Sequence, residues 1–493
     1  MNLPEPPKAD GYTTEIAYLP GYYRDLNPLV QTLVLNAMGV DTWRRGTPMT
    51  YLELGCGYGL STLVHAAANP QATFVAIDIL PDHIMTARAL AEAAGLKNVT
   101  FIEGSFAALK DMALPKCDFI VMHGVWSWIN DTNREYILRC VDACLKPGGV
   151  LSLSYNALPG CATVPPLREL MVTQFSGASG SLPERMTAAL TLTDAVKSLG
   201  GGFFANNPMA SRRFEDLRER PRNYLAHEYF NTDWTAFYHS DVAAAFGALD
   251  LTFVSLATVF ETIDELHFSP NAFRFLSKIN EPTLHETLKD FMVNRQFRVD
   301  LFVRGPIPTG NAQALCADTR FAAVAQPNDL DRFKRRTTTG EVNVAHDLSR
   351  AIVTVLSQGP TNITALAQHP LLKNWPSQKI AGTVYVLAGL GAIEAALPAE
   401  CEDASRAAIR RLNGAIRQRN VGGPWTEMNA STITGGGVQT SREDQIFFLA
   451  QADGVDPVQF AARVLGESEV TISERYRHFI DVRMPIYIAT GVD

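Results

Sequence analysis

Residues 51–59 read YLELGCGYG, a short apolar run followed by glycines at alternate positions. A short apolar run that ends at glycine is typical of a buried β-strand, and the next segment, LSTLVHAAA (60–68), predicts a helix. In doubly wound α/β folds, ligands bind at the turn between such a strand and helix. Gly55, Gly57 and Gly59 have GxGxG spacing, one residue shorter than the GxGxxG of dinucleotide folds.

Strand and helix patterns then alternate as far as residue 156. The further strand patterns are ATFVAIDI (72–79), NVTFIEG (98–104), CDFIVMHG (117–124) and VLSLSYN (150–156). One predicted helix is opened by Pro81 and closed by Gly95, and another covers 133–149 and stops at a Pro-Gly-Gly turn. Strands separated by helices indicate a parallel sheet with helices on both faces, a Rossmann-like α/β fold.

The rest of the chain predicts an interrupted first domain and a separate C-terminal region. Strand character returns at 249–260 and 296–305, which predicts an antiparallel hairpin that completes the sheet. We expect the sheet domain over 1–175 and 236–310, with an inserted helical cap at 176–235. We expect residues 320–493 to form a mainly helical, winged-helix-like domain, because three predicted helices are followed there by a short strand.

Composition excludes several classes of function. The 493 residues include 43 basic and 51 acidic side chains, and a net charge of −8 argues against a nucleic-acid partner. The sequence contains no run of eighteen apolar residues, so we predict no membrane span, and the N-terminus lacks signal-peptide features. Seven scattered cysteines form neither a disulfide framework nor a CxxC metal pair. We therefore expect a reduced, cytoplasmic protein.

Two carboxylates flank the glycine loop. Glu53 precedes the first glycine, where it would accept a hydrogen bond from a ligand ammonium, directly or through water. Asp78 ends the second strand, where a carboxylate binds both hydroxyls of a ribose. The short loop and these two acids predict a small zwitterionic ligand that carries a ribose.

LELGCGYG, VAID and CLKPGGVL together resemble class I S-adenosylmethionine-dependent methyltransferases. The resemblance implies a seven-stranded sheet, S-adenosylmethionine as cofactor, glycines along its methionine part and Asp78 on its ribose. Ser105, in the adenine-bordering loop, stands where many members have aspartate. The residues assigned to the cofactor in this way are Glu53, Gly55, Gly57, Gly59, Asp78, Ile79, Gly104, Ser105, Phe106 and His123.

The stretch HGVWSWIND (123–131) follows the fourth strand, where methyltransferases place the groups nearest the transferred methyl. These residues agree with an amine as the methyl acceptor, although they do not require one. If the acceptor is a lysine, whose pKa is about 10.4, its deprotonation at pH 7 costs roughly 4.6 kcal/mol. A desolvated aromatic pocket reduces that cost and attracts cations. We predict that Trp126 and Trp128 supply aromatic faces and that Tyr18, Tyr22 and Tyr23 close the pocket.

Four polar residues are open to more than one interpretation. His123 either accepts a proton or fixes the loop, and Asn156 either orients the substrate or caps a turn. The adjacent His227 and Glu228 have metal-ligand chemistry but no third ligand at helical spacing. We therefore predict no metal and interpret the pair as a contact from the cap to the catalytic domain.

IVMHGVWSWI, SYNALPG and YLAHEYFNTDWTAFYHSDV resemble a narrower family over roughly residues 12–305. That family carries the methyltransferase regulatory domain and includes rickettsial protein lysine methyltransferases that modify outer-membrane proteins. The resemblance implies a homodimer and methylation of a protein side chain, with lysine favoured. The alternatives are a small-molecule N- or O-methyltransferase and a non-catalytic cofactor-binding scaffold that regulates a partner.

Overall fold

A computed structural model describes residues 18–307 and 309–492, and its centre is one seven-stranded sheet of order β3-β2-β1-β4-β5-β7-β6. The strands β1 to β5 are parallel, whereas β7 runs antiparallel to both β5 and β6. This order confirms the Rossmann-like sheet and its closing hairpin. The strands are β1 (Thr50–Leu54), β2 (Thr73–Asp78), β3 (Val99–Glu103), β4 (Cys117–Met122), β5 (Leu145–Asn156), β6 (Leu251–Leu256) and β7 (Phe297–Arg304).

Thirteen helices accompany these strands along the described chain up to residue 307. Those within or before the first five strands are α1 (Pro28–Ala37), α2 (Leu60–Ala68), α3 (Pro81–Ala94) and α4 (Asp131–Cys144). Those between β5 and β6 are α5 (Val164–Gly177), α6 (Leu182–Ser198), α7 (Gly202–Asn206), α8 (Pro208–Arg218), α9 (Arg222–Tyr229) and α10 (His239–Gly247). Three more, between β6 and β7, are α11 (Asp264–His267), α12 (Pro270–Leu276) and α13 (Pro282–Val293).

Local sequence explains where several of these elements begin and end. Pro81 occupies the first turn of α3, and Gly95 ends that helix in the left-handed region at φ 69°, as predicted. The Pro-Gly-Gly segment differs from the prediction: α4 ends at Cys144, and β5 already begins at Leu145. An irregularity in the pairing of β4 with β5 between Cys117 and Phe119 accommodates the added residues.

The C-terminal region has the predicted order of three helices and a short strand, namely α15 (Asp347–Leu356), α16 (Ile363–Gln368), α17 (Ser377–Gly389) and β12 (Ile393–Ala396). Two features were not predicted: β8 (Arg320–Ala323), which lies between β11 (Thr361–Asn362) and β12 in a three-stranded sheet, and the hairpin of β9 (Lys334–Thr337) and β10 (Gly340–Asn343). The strands are β8 (Arg320–Ala323), β9 (Lys334–Thr337), β10 (Gly340–Asn343), β11 (Thr361–Asn362), β12 (Ile393–Ala396), β13 (Met428–Ala430) and β14 (Gly437–Gln439). The helices are α14 (Ala312–Ala317), α15 (Asp347–Leu356), α16 (Ile363–Gln368), α17 (Ser377–Gly389), α18 (Ala399–Val421), α19 (Arg442–Ala452), α20 (Pro457–Leu465), α21 (Glu469–His478) and α22 (Met484–Ala489). The domain boundaries given above stay a prediction.

This region packs directly on the helices that follow the glycine loop. The long helix α18 lies against α2 and α3, and Arg411 Nε donates to the carbonyl of Ala94 at 2.8 Å. An ion pair of 2.6 Å joins Arg24 Nε to Glu394 Oε1 on β12. Within 18–307 and 309–492, no helix is long and apolar enough to cross a membrane.

Candidate active site

The glycine loop bends across the end of β2. Gly55 and Cys56 both donate their backbone N–H to the carbonyl of Ile77, at 2.8 and 3.0 Å. Gly55 and Gly57 have φ values of 76° and 53°, in the left-handed region that favours glycine. A Cβ on Gly55 would collide with Val125, whereas a Cβ on Gly57 would meet no atom within 4 Å. The backbone at Gly57 is therefore open to a ligand.

Asp78 lies at the carboxyl end of β2, and its carboxylate is held in place by backbone and side-chain donors. Its Oδ2 accepts from Gly57 N–H at 2.7 Å and its Oδ1 accepts from Leu80 N–H at 3.0 Å. His83 Nδ1 lies 3.2 Å from Oδ1. The carboxylate thus has a fixed orientation beside the open face of Gly57.

Two cavities meet at this loop, and both have Gly55, Asp78, Gly124 and Trp128 in their walls. The smaller has a volume of about 90 Å³, and its other walls are Ile79, Gly104, Ser105, Phe106, Val125, Ile129 and Asn133. The larger has a volume of about 290 Å³ and extends from Cys56, Gly57 and Tyr58 towards α9 and β7. A mainly apolar slot for adenine, a carboxylate for ribose and an open glycine loop fit S-adenosylmethionine.

Gly59 and Glu53 lie outside the walls of both cavities. Gly59 is the N-cap of α2 at φ 66°, and a Cβ there would collide with Phe101, so the lack of a side chain permits close packing at this point. Glu53 is 2% exposed and accepts a hydrogen bond from Thr62 Oγ1, and burial raises the pKa of its carboxyl to about 8. Of the two contacts predicted for Glu53, a water-mediated one fits this position better than a direct one.

His123 lines the larger cavity with one face covered. Its ring stacks on Tyr23 with centroids 3.8 Å apart, and burial lowers the pKa of the imidazole to about 4. The loop is fixed at the following residue, because Gly124 N–H donates to Ser154 Oγ at 2.8 Å. His123 is therefore a neutral wall of the cavity near pH 7.

The two tryptophans have different positions, because a 3₁₀ turn spans Trp126–Trp128. Trp128 lines both cavities. Trp126 packs in the core instead, with its ring 5.1 Å from that of Phe246 and beneath the Arg134 guanidinium. The prediction that Trp126 lines the pocket therefore disagrees with its position, and Trp128 provides the aromatic face.

The three N-terminal tyrosines also occupy different positions. Tyr18 and Tyr23 line the larger cavity, whereas Tyr22 packs edge-on against His65 at 5.7 Å and contacts Gly437. Asn156 lines the same cavity, and its backbone is fixed by Ser127 Oγ, which accepts from its N–H at 2.8 Å. The sequence prediction for Tyr22 thus does not match the structure.

Sequence reasoning missed Tyr224 and Phe297 as walls of the larger cavity and named Glu228 only as a contact. Phe297 pairs with Asn156 across β5 and β7, so the register of the predicted hairpin was the available signal. Tyr18 Oη donates to Glu228 Oε1 at 2.8 Å, which is the expected contact from the cap. Over the described residues, no group of three His, Cys, Asp or Glu side chains is arranged to hold a metal ion.

Comparison with known families matches two segments of the chain. Residues 52–149 match the family described as "Methyltransferase domain", and residues 221–304 match the "Predicted methyltransferase regulatory domain". Uncharacterized protein sll1526 of Synechocystis is 32% identical over 98% of this chain and 99% of its own length. Uncharacterized protein RP789 of Rickettsia prowazekii is 28% identical over 51% of this chain and 45% of its own.

Two solved structures share the fold. PKMT2 from Rickettsia typhi superposes with a TM-score of 0.69 at 18% identity, over 97% of this chain and all of that one. Its complex with AdoHcy superposes with a TM-score of 0.66 at 19% identity, over 93% of this chain and 91% of that one. The chain therefore belongs to the S-adenosylmethionine-dependent methyltransferases that combine a class I methyltransferase domain with a methyltransferase regulatory domain.

Proposed function

We propose that this methyltransferase modifies a protein side chain and that the acceptor is the amine of a lysine. The observation that carries the proposal is the wall of the larger cavity, where aromatic rings surround the space next to the glycine loop. Among these rings are Tyr18, Tyr23, Trp128, Tyr224 and Phe297. They come from four separate parts of the chain, so the fold concentrates them at this one place.

Aromatic walls suit an amine acceptor for two physical reasons. Removal of water disfavours the charged form of a lysine and lowers its pKa, which makes the nucleophilic neutral amine more abundant. Ring faces also attract a sulfonium or a methylated ammonium by about 0.5–2 kcal/mol each. When bound, S-adenosylmethionine supplies an electrophilic methyl group at this point.

The cofactor-binding roles belong to the same proposal. Gly55 and Gly57 would follow the methionine part, Asp78 the ribose, and the loop from Gly104 to Phe106 the adenine, with Ile79 beside it. The helical segment 176–235 would act as a cap, because its last helix, α9, supplies Tyr224 and Glu228 to the cavity.

The fold gives further support for a protein acceptor. The fold shared with Rickettsia typhi PKMT2 extends over 97% of the chain, including the C-terminal region. That region adds about 170 residues to the catalytic domain, which exceeds what a small acceptor requires.

The test is methylation of a lysate of the source organism with radiolabelled S-adenosylmethionine, followed by separation of proteins from small molecules. We expect label on discrete protein bands, and we expect chemical acylation of the lysines beforehand to abolish it. Asp78→Ala should label these bands more weakly, because it loses the proposed contact to the ribose.

Label confined to the small-molecule fraction would contradict the protein acceptor. Label on proteins that persists after lysine acylation would contradict the amine. Binding of AdoHcy without any labelled product over both fractions would favour a non-catalytic scaffold.

A further inference from the structure

We infer that Glu228 binds the ammonium of the acceptor and accepts its proton, so that the regulatory segment 221–304 supplies a catalytic residue. This inference rests on the proposed amine acceptor and names the group that recognises it. Glu228 lies near the end of α9, and its side chain forms part of the wall of the larger cavity. Tyr18 and Tyr23 face it from the N-terminal segment, and Tyr224 faces it from its own helix.

Among the residues that the structure describes, Glu228 has no cationic partner. Tyr18 Oη donates to its Oε1 at 2.8 Å, and no lysine or arginine of the described chain forms an ion pair with it. A carboxylate withdrawn from water without a counter-charge is costly, and such groups are normally paired. Burial accordingly raises the pKa of Glu228 to about 7, although the bond from Tyr18 opposes this effect. An ammonium entering the cavity would supply the missing charge.

The surroundings of Glu228 select a cation over an anion. The titratable groups around it are the phenols of Tyr18, Tyr23, Tyr224 and Tyr229 and the imidazoles of His123 and His227. The guanidinium of Arg213 lies close to Tyr224 and Tyr229 but forms no ion pair with Glu228. His123 contributes no positive charge, because burial lowers its pKa to about 4. A carboxylate flanked by ring faces, as Glu228 is, is an arrangement that recognises an alkylammonium.

The proposed proton transfer and methyl transfer balance in atoms and charge. The acceptor ammonium gives a proton to the Glu228 carboxylate and becomes a neutral amine. The nitrogen lone pair then forms a bond to the methyl carbon while the carbon–sulfur bond breaks, and its electron pair stays on sulfur. The product is a methylammonium and a thioether, and Glu228 passes its proton to water.

His123 is the competing proton acceptor, and its surroundings make it the weaker one. Burial lowers the pKa of the His123 imidazole and raises that of the Glu228 carboxyl, so Glu228 holds a proton more readily. The His123 ring is also stacked on Tyr23, which holds it as part of the cavity wall. We therefore assign the proton to Glu228 and a wall position to His123.

The first test needs no natural acceptor. In AdoHcy-loaded protein with ¹³C-labelled glutamate carboxyls, the resonance absent from Glu228→Gln should titrate near pH 7. Addition of n-butylammonium chloride should lower its midpoint by about one pH unit, whereas n-butanol should leave it unchanged. A titration midpoint that does not change when n-butylammonium chloride is added would overturn the inference.

The second test uses the labelled lysate proteins. Glu228→Gln should lower the methyl-transfer rate at pH 8 by at least about 100-fold and remove the rise of rate with pH. Glu228→Asp should restore part of both, and AdoHcy affinity should stay within a few-fold of the unmodified protein in each. Glu219→Gln, an exposed acid at the end of α8, is the matched control and should change nothing.

The two proposals fail in different ways. Label only in small molecules, together with an ammonium-sensitive Glu228 resonance, would remove the protein acceptor and keep the role of Glu228. Lysine labelling that persists in Glu228→Gln with an unchanged pH profile would remove the role of Glu228 and keep the protein acceptor.

Discussion

The backbone N–H of Gly57 donates a 2.7 Å hydrogen bond to Asp78 Oδ2, which ties the middle of the glycine loop to the end of β2. Leu80 N–H and His83 Nδ1 engage the other carboxylate oxygen, at 3.0 and 3.2 Å. The carboxylate that we propose binds the ribose is therefore oriented before any ligand arrives, and little conformational freedom is lost on binding.

Replacement of this carboxylate should weaken cofactor binding without unfolding the protein. We expect Asp78→Ala to lower AdoHcy affinity by about 1–3 kcal/mol, because it removes hydrogen bonds to the ligand and frees the loop. Isothermal titration calorimetry measures the change. Asp82→Asn, an exposed acid on α3, should bind AdoHcy normally, and unchanged affinity in Asp78→Ala would remove that residue from the site.

The glycines of the loop should respond differently to the same substitution. Gly57→Ala should cost about 1–2 kcal/mol of stability for the left-handed backbone alone, and its methyl group would enter the ligand space. Gly55→Ala carries the same backbone cost plus a collision with Val125, so its melting temperature should fall further. Equal melting temperatures by calorimetry would contradict this distinction.

Substitutions of the two tryptophans in the 3₁₀ turn should have different effects, one on stability and the other on activity. Trp126→Leu removes core packing on Phe246 and should lower the free energy of unfolding by about 2–4 kcal/mol. Trp128→Leu should instead lower kcat/KM by about 10-fold, because a cavity wall loses its aromatic face. Denaturant unfolding and methyl-transfer kinetics on both variants provide the check, and the opposite pattern would restore Trp126 to the pocket.

These tryptophans show where sequence reasoning stops. Motif spacing was enough to predict the sheet, its closing hairpin and the loop with Asp78, because those patterns are local. Which of two tryptophans faces the cavity depends on a three-residue turn whose rotation no periodicity encodes. The bond between Tyr18 and Glu228 joins residues 210 apart, so only the folded chain brings them together.

The less regular parts of the fold were missed for a related reason. The hairpin β9–β10 is exposed along most of its length, so it lacks the alternating apolar pattern that predicts a strand. Helices α11 to α13, between β6 and β7, were not predicted either. The homodimer stays a prediction.

Removal of the Tyr18 hydroxyl should shift the pH dependence of methyl transfer. The Tyr18 bond lowers the pKa of Glu228, so its loss in Tyr18→Phe raises that pKa further above 7. The rate rises as Glu228 ionises, and its midpoint should therefore move to higher pH. Rates measured from pH 6 to 9 test this, with Tyr136→Phe on α4 as control; a midpoint that moves to lower pH would contradict the proton-acceptor role.

The ion pair between Arg24 and Glu394 should stabilise the packing of the C-terminal region on the catalytic domain. Both side chains are largely buried, so Glu394→Gln should cost about 1–3 kcal/mol by leaving the guanidinium without its partner. Glu135→Gln breaks an exposed pair with Arg139 and should cost less than about 1 kcal/mol. Urea unfolding of the two variants compares them, and equal losses would show that the buried pair contributes nothing extra.

The most direct test of the central claim is tandem mass spectrometry of the proteins that this enzyme labels with a heavy-methyl S-adenosylmethionine. We predict that the heavy methyl groups lie on lysine Nζ atoms and that Glu228→Gln strongly reduces them. Heavy methyl groups on carboxylate oxygens or other side chains, with lysines unlabelled, would contradict an amine acceptor in the aromatic cavity.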